Sequence, residues 1–217
     1  MKTPASIDLY WLPLGAGEAN RCVRVSGRLY EALAARHANR SVCDLYHTAL
    51  RVRLGSDRFV IEMAPVWILR RPDRGVVCEG PVGLRWLGRS RLFRYEVRRW
   101  RDGTIPDIAE AVASPVCLDT HGDRARLLLD LVPAFPTATW GLDEFRTGDM
   151  WNSNSLIAWL LARSGHRVDA ITPPLRGRAP GWSAGLAVAR RQVSSGRISI
   201  APAGHSATQM PQPLQYS

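Results

Sequence analysis

The sequence predicts an α+β protein in which an antiparallel sheet packs against helices. Residues 45–53 and 58–64 alternate between apolar and polar on either side of the turn at residues 54–57, the pattern of a β-hairpin. Apolar patterns with helical spacing occur later, at residues 123–132 and 152–163. Strands and helices therefore do not alternate as they do in a doubly wound parallel sheet.

Composition predicts one globular domain, residues 1–193, followed by a disordered tail, residues 194–217. Of the 217 residues, 46% are hydrophobic and 22% are charged, which is the balance of a globular protein. After residue 193 the chain is rich in Ser, Gly, Pro and Gln and shows no periodicity.

Location and cofactors follow from what the sequence lacks. No apolar run approaches the roughly 18 residues of a membrane span, and residues 7–12 are too short and interrupted for the core of a signal peptide. The four cysteines lie far apart, without the Cys and His spacing of a zinc site. We therefore expect a cytoplasmic protein with no transmembrane segment, no metal and no cofactor.

The first half of the chain is expected to supply the sheet. Residues 7–12 predict a strand, and Ser26 is placed to cap a helix. That helix would present one apolar face, formed by Leu29, Tyr30, Leu33 and Ala34. After the hairpin, residues 75–78 are expected to add a short strand, and the alternating residues 92–100 a longer one.

The second half is expected to be mainly helical. Residues 107–113 and 123–132 predict helices, and the four leucines of the second indicate that it packs in the core. Proline and glycine predict a loop over residues 133–151. The helix at residues 152–163 comes next, and a last helix at residues 183–193 follows a stiff crossing rich in Pro and Gly.

The hairpin brings a histidine and a glutamate to one face of the sheet. Its turn predicts that Arg53 pairs with Arg58. This register places Glu62 on the same face as His47, because side chains alternate along a strand. A carboxylate beside an imidazole fixes its tautomer and raises its basicity, as a general base requires. The same spacing also describes an ordinary hairpin with a histidine near the core and a surface glutamate.

Small polar residues lie at the start of the apolar helix predicted at residues 152–163. The run consists of Asn152, Ser153, Asn154 and Ser155. A helix N-terminus offers free N–H groups and a positive dipole end, which favour a nucleophile and an oxyanion. The same residue types also cap helices, so plain N-capping is the competing interpretation.

Taken together, the two elements resemble the circularly permuted papain-like superfamily, which includes lecithin retinol acyltransferase-like and YiiX-like proteins. The matching stretches are Tyr46-His47-Thr48-Ala49-Leu50, Phe59-Val60-Ile61-Glu62 and Asn152-Ser153-Asn154-Ser155-Leu156-Ile157. The resemblance covers residues 40–165 and implies a permuted papain-like fold. It departs from the family pattern at one position, where the nucleophilic cysteine is replaced by Ser153.

The resemblance implies a hydrolase or acyltransferase acting on an amide or ester, with an acidic or lipid substrate favoured by the basic charge. Ser153 would attack the carbonyl, His47 would transfer the proton and Glu62 would orient His47. Substrate contacts would come from Trp151, Asn152, Asn154, Ser155 and Arg178. Ser155 is the second choice of nucleophile.

The charge supports a second interpretation, a catalytically inactive binding protein on the same fold. The net charge is +10, and Lys2 is the only lysine among the 29 basic residues. Guanidinium groups bind carboxylates and phosphates in bidentate fashion, so an acidic partner is expected. The strand face of Arg94, Arg98 and Trp100 would form the arginine-rich surface. Nucleic acid is not the expected partner, because the chain has no helix-turn-helix, zinc or aromatic RNA-binding motif.

Overall fold

The computed structural model describes residues 4–15, 21–66 and 73–195, and for residues 21–26 it describes the backbone alone. The tail expected from residue 194 lies almost wholly outside these ranges. The helices are α1 (Arg21–His37), α2 (Gly122–Leu131), α3 (Ser153–Arg163) and α4 (Trp182–Ser194). The strands are β1 (Ala5–Pro13), β2 (Asp44–Leu54), β3 (Asp57–Pro65), β4 (Val76–Pro81), β5 (Arg94–Arg101), β6 (Val112–Asp119) and β7 (Gly177–Arg178).

The strands form an antiparallel sheet in the order β4-β5-β3-β2-β1-β6, and β7 adds a short parallel pairing with the start of β2. This confirms the predicted α+β class with an antiparallel sheet packed against helices. The hairpin register is confirmed as well, because Arg53 pairs with Arg58 in β2 and β3. The glycine of its turn, Gly55, adopts a positive φ of 65°, which suits the tight connection.

The two faces of the sheet have different roles. One face carries Tyr46, Leu50 and Ile61 into the main core, where they meet the apolar sides of α2, α3 and α4. The opposite face holds a smaller apolar cluster, Tyr10, Leu12, Ala49, Val60 and Ile105. Because side chains alternate along β2, its odd-numbered residues belong to this second face.

The helix predicted at residues 107–113 is wrong. A single 3₁₀ turn, Ile108–Glu110, occupies its middle, and the chain then enters β6, which pairs with β1. Ile108 and Ala111 pack against the apolar cluster of the second face. Tertiary packing over the sheet and a distant strand partner therefore override the local helical pattern.

The apolar face predicted for α1 is not the face that the helix buries. Leu29 and Leu33 are 62% and 61% exposed. The buried positions are Gly27, Glu31 and Ala35, spaced by one helical turn. Glu31 is compensated by Arg40, which binds its carboxylate, and by the backbone N–H of Cys43, so a carboxylate replaces the expected apolar contact.

Candidate functional site

The N-terminus of α3 is a fully formed helix cap. The side-chain oxygen of Asn152 accepts hydrogen bonds from the backbone N–H groups of Asn154 (2.9 Å) and Ser155 (3.3 Å). In return, the hydroxyl of Ser155 accepts from the backbone N–H of Asn152 at 3.1 Å. This reciprocal pair is a capping box. Capping, one of the two interpretations of this run, accounts for both residues.

Asn154 joins three parts of the chain from a buried position. Its Nδ2 donates to the backbone carbonyls of Tyr46 (2.9 Å) and Pro180 (2.8 Å). Its Oδ1 accepts from the hydroxyl of Thr48 at 2.9 Å. Asn154 is 2% exposed, and its amide is thus committed to protein partners in α3, β2 and the loop before α4. The side-chain amide of Asn154 is therefore not available to bind a substrate.

The loop before α4 is shaped to meet this cap. Gly181 has a φ of 89°, and an added Cβ would collide with the side chain of Asn152. Its carbonyl accepts from the Ser155 hydroxyl at 2.8 Å, and its N–H donates to Asp149 at 2.8 Å. Glycine is required here both by its backbone conformation and by the close approach of Asn152.

The two other residues expected to contact substrate have protein partners of their own. Trp151 is 1% exposed and stacks on Phe135 at 4.9 Å, while its indole N–H donates to the carbonyl of Pro136. Arg178 lies on β7 with its guanidinium 3.7 Å from Glu31. Trp151 is therefore a core residue, and Arg178 belongs to the side of the molecule near α1.

The predicted nucleophile and base lie on different sides of the sheet. Ser153 begins α3 and is 3% exposed, on the side where Thr48 bonds to Asn154. His47, next to Thr48 in β2, points to the opposite face and pairs with Leu12 of β1. His47 keeps some exposed surface, but burial lowers its pKa to about 4. The proton transfer expected between His47 and Ser153 thus has no direct path.

Glu62, the expected orienting carboxylate, is bound by an arginine. It lies directly opposite Arg98 in the β3–β5 pairing, and Nη1 of Arg98 donates to Glu62 at 2.7 Å. Nε of the same guanidinium donates to Glu96 at 3.1 Å, and Arg74 also binds Glu96. The hydrogen bond predicted between Glu62 and His47 is therefore corrected to an ion pair with Arg98, the nearer partner across the strands.

The arginine stripe expected on β5 is also not a free surface. Arg98 is fully buried and Trp100 is 7% exposed, while Arg94 forms an ion pair with Glu79 at 3.1 Å. Burial raises the pKa of Glu62, and Arg98 opposes this shift. The network is a buried structural ion cluster.

A second group of arginines lies at the end of the β2–β3 hairpin. Arg53 and Arg58 face each other across the two strands, and Arg51 precedes them on the same face of β2. With Ser56 and Thr104 they line a hollow of about 460 Å³. We call this set of five residues the arginine groove. The predicted register already placed Arg53 opposite Arg58, which is the sequence signal for it.

The arginines of the groove differ in how their charges are balanced. Arg58 forms an exposed ion pair with Asp102 at 3.4 Å. Arg51 stacks 5.1 Å above the ring of Tyr10. Within residues 4–15, 21–66 and 73–195, neither Arg51 nor Arg53 forms an ion pair. The cavity is lined by these three arginines and by one carboxylate, Asp102, so the groove presents an excess of positive charge to solvent.

Comparison of the chain with protein-family models, curated proteins and solved structures gives no match. The resemblance to the permuted papain-like superfamily thus stays a prediction. None of the helices in the described ranges has the length and apolarity needed to cross a bilayer. In the same part of the chain, no three His, Cys, Asp or Glu side chains are grouped to hold a metal ion.

Proposed function

We propose that this chain is a non-catalytic binding protein that takes a phosphate-bearing anion in the arginine groove. The observation that carries the proposal is the direct juxtaposition of Arg53 and Arg58 beside Arg51. This corresponds to the second interpretation of the sequence, an arginine-rich binding surface, with different arginines forming it.

Like charges directly opposite each other on neighbouring strands destabilise the pairing. Arg53 and Arg58 occupy such positions, and both are exposed. An anion held between them would convert this repulsion into two charge-assisted interactions. In the ligand-free protein, the repulsion between the two guanidinium groups lowers the stability of the hairpin, and a bound anion would remove that repulsion. This favours a binding role for the pair.

The chemistry of the groove suits phosphate better than a single carboxylate. Each guanidinium is a planar fork of donors that matches phosphate oxygens in bidentate fashion. The hydroxyls of Ser56 and Thr104 add donors at the lining of the hollow. Stacking on Tyr10 restrains Arg51, so less side-chain freedom is lost when a ligand binds.

Catalysis by Ser153 is not part of the proposal, because Glu62 is bound by Arg98 and His47 points to the opposite face of the sheet. The same proposal keeps the protein in the cytoplasm, where the free thiols of Cys43, Cys78 and Cys117 would remain reduced.

Isothermal titration calorimetry with inorganic tripolyphosphate tests the proposal. We expect the double variant Arg53→Gln/Arg58→Gln to bind at least about tenfold more weakly than the wild type, since two charge-assisted contacts are lost. The matched control is Arg36→Gln/Arg126→Gln, which removes the same charge from two exposed positions on α1 and α2. We expect its affinity to stay within about threefold of the wild type.

Two results would contradict the proposal. The first is a wild-type protein that shows no heat of binding at low salt. The second is an equal loss of affinity in the two double variants, which would indicate attraction by net charge without a site.

A further inference from the structure

The connection between β4 and β5 is built without a buried residue. It consists of two 3₁₀ turns, Arg85–Arg89 and Arg91–Phe93, and neither contains a buried position. The two turns pack against each other and the first contacts β4. We call residues 84–94 the arginine–aromatic turn.

Four large apolar side chains of the arginine–aromatic turn face solvent. Trp86 is 67% exposed and Leu92 is 68% exposed, and Leu84 and Phe93 are 46% and 42% exposed. Single exposed apolar residues are ordinary, whereas several within one short segment mark an interaction surface. The four exposed apolar side chains of this segment therefore indicate a surface that binds a partner.

Backbone and side-chain contacts hold this segment in place. The N–H of Val82 donates to the carbonyl of Phe93 at 2.8 Å, and the N–H of Gly83 donates to Trp140 at 3.0 Å. Nε of Arg94 donates to the carbonyl of Gly88 at 2.6 Å. The apolar side chains are thus displayed by a fixed turn and do not pack onto the core.

The charges interleaved with these side chains all have one sign. The turn contains four arginines and no acidic residue: Arg85, Arg89, Arg91 and Arg94. Glu144 pairs with Arg85 and Glu79 pairs with Arg94 from outside the turn. In the described part of the chain, Arg89 and Arg91 form no ion pair. The surface is therefore apolar and cationic together.

We propose that the arginine–aromatic turn docks the protein onto the surface of a bilayer that contains anionic phospholipid. Tryptophan favours the headgroup level, where its ring is buried and its N–H stays hydrated, and phenylalanine and leucine supply apolar contact with the acyl boundary. Arginine is attracted to the negative surface and keeps its guanidinium at the phosphates. Apolar contact combined with attraction to anionic lipid is the physical basis of interfacial binding.

This docking surface is separate from the arginine groove. The groove lies where β5 ends, next to Asp102, and the turn lies where β5 begins, at Arg94. The two sites thus occupy opposite ends of the same strand. Either proposal can fail without the other.

Co-sedimentation with vesicles tests the docking proposal. Vesicles of phosphatidylcholine alone are compared with vesicles that also contain phosphatidylglycerol. We expect the wild type to partition onto the anionic vesicles and Trp86→Ala/Leu92→Ala to partition at least about tenfold less, because two buried apolar contacts are lost. The matched control is Leu175→Ala/Val193→Ala, which removes two exposed apolar residues that stand singly, one before β7 and one in α4, and should partition as the wild type does.

The charge contribution is tested in the same assay. Arg89→Gln/Arg91→Gln should weaken partitioning onto anionic vesicles by about tenfold, whereas Arg36→Gln/Arg126→Gln should weaken it by less than about threefold. Arg53→Gln/Arg58→Gln, which tests the arginine groove, should retain vesicle binding at the level of that control pair.

Three results would overturn the docking proposal. One is a wild-type protein that stays in the supernatant with anionic vesicles. Another is equal loss in Trp86→Ala/Leu92→Ala and Leu175→Ala/Val193→Ala. The third is self-association of the wild type without vesicles that Trp86→Ala/Leu92→Ala abolishes, which would assign the surface to a second copy of this chain.

Discussion

The start of α3 and the arginine groove are both rich in polar side chains, but the structure gives their polar atoms different partners. At α3, the amide of Asn154 is bonded to protein on both its oxygen and its nitrogen. In the groove, Arg53 faces Arg58 and forms no ion pair in the described residues. Satisfied polar groups hold a fold together, whereas exposed groups without partners are available to a ligand. By this criterion, the start of α3 has a structural role, and the arginine groove is the candidate for binding.

The largest expected effect comes from removing a buried ion-pair partner. Arg98→Met leaves the carboxylates of Glu62 and Glu96 buried without their shared guanidinium, which should lower the free energy of unfolding by about 3–5 kcal/mol. The control is Arg101→Met on the same strand, which breaks an exposed pair with Asp57 and should cost about 0–1 kcal/mol. Urea unfolding measures both, and equal losses would contradict the structural assignment of the cluster.

A smaller loss is expected from the helix cap. Asn154→Ala removes the partner of the Thr48 hydroxyl and the side-chain donor to the carbonyl of Tyr46, while the carbonyl of Pro180 keeps the amide of Asn152, at a cost of about 2–3 kcal/mol. Its neighbour Ser153, the predicted nucleophile, is the control, and Ser153→Ala should change the free energy of unfolding by less than about 1 kcal/mol. If Ser153→Ala proves as damaging as Asn154→Ala in chemical denaturation, the division of roles along this run is wrong.

Acid should destabilise the protein partly through His47. Its pKa of about 4 in the folded state lies below the ordinary histidine value of 6.5, so between these pH values the unfolded chain binds a proton that the folded chain does not. Stability therefore falls as the pH drops from about 6.5 to 4, by at most roughly 3 kcal/mol from this residue. In His47→Gln, the free energy of unfolding should therefore depend less on pH over this range. Some pH dependence should remain from His166, because burial also lowers its pKa.

An unchanged pH dependence of unfolding in His47→Gln would show that the histidine is solvated in the folded protein. His37→Gln serves as the control, because His37 is exposed at the end of α1. We expect that variant to change the free energy of unfolding at pH 7 by less than about 0.5 kcal/mol.

The smallest expected effect is a gain in stability. Arg53→Gln removes one of two facing positive charges, so the ligand-free protein should become more stable by about 0.2–1 kcal/mol at low salt. A loss of stability in differential scanning calorimetry would mean that Arg53 stabilises the fold, which would contradict its assignment to an anion-binding site.

Much of the fold was predictable because its signals are local. The hairpin follows from alternation and a turn glycine, and α3 from its cap and apolar pattern. β6 was missed because its partner, β1, lies about a hundred residues earlier and no local pattern encodes that pairing. The buried side of α1 was missed because Glu31 is buried with the help of Arg40, which follows the helix.

The positions of the candidate site residues could be predicted only where the register of the β2–β3 hairpin determines them. The register gave the facing pair of Arg53 and Arg58, but not which side of the sheet α3 would cover. That choice separates Ser153 from His47. The partner of Glu62 was also hidden, because Arg98 reaches it through the β3–β5 pairing, which joins strands apart in sequence.

Thermal unfolding with and without tripolyphosphate, at matched low ionic strength, tests the central claim most directly. Without the anion, Arg53→Gln/Arg58→Gln should unfold at a temperature at least as high as that of the wild type, because the repulsion of the facing charges is gone and only the exposed ion pair of Arg58 with Asp102 is lost with it. With the anion, the order should invert, since ligand binding stabilises only the wild type and the control Arg36→Gln/Arg126→Gln. An unchanged order, or an equal rise in all three proteins, would contradict a binding role for the arginine groove.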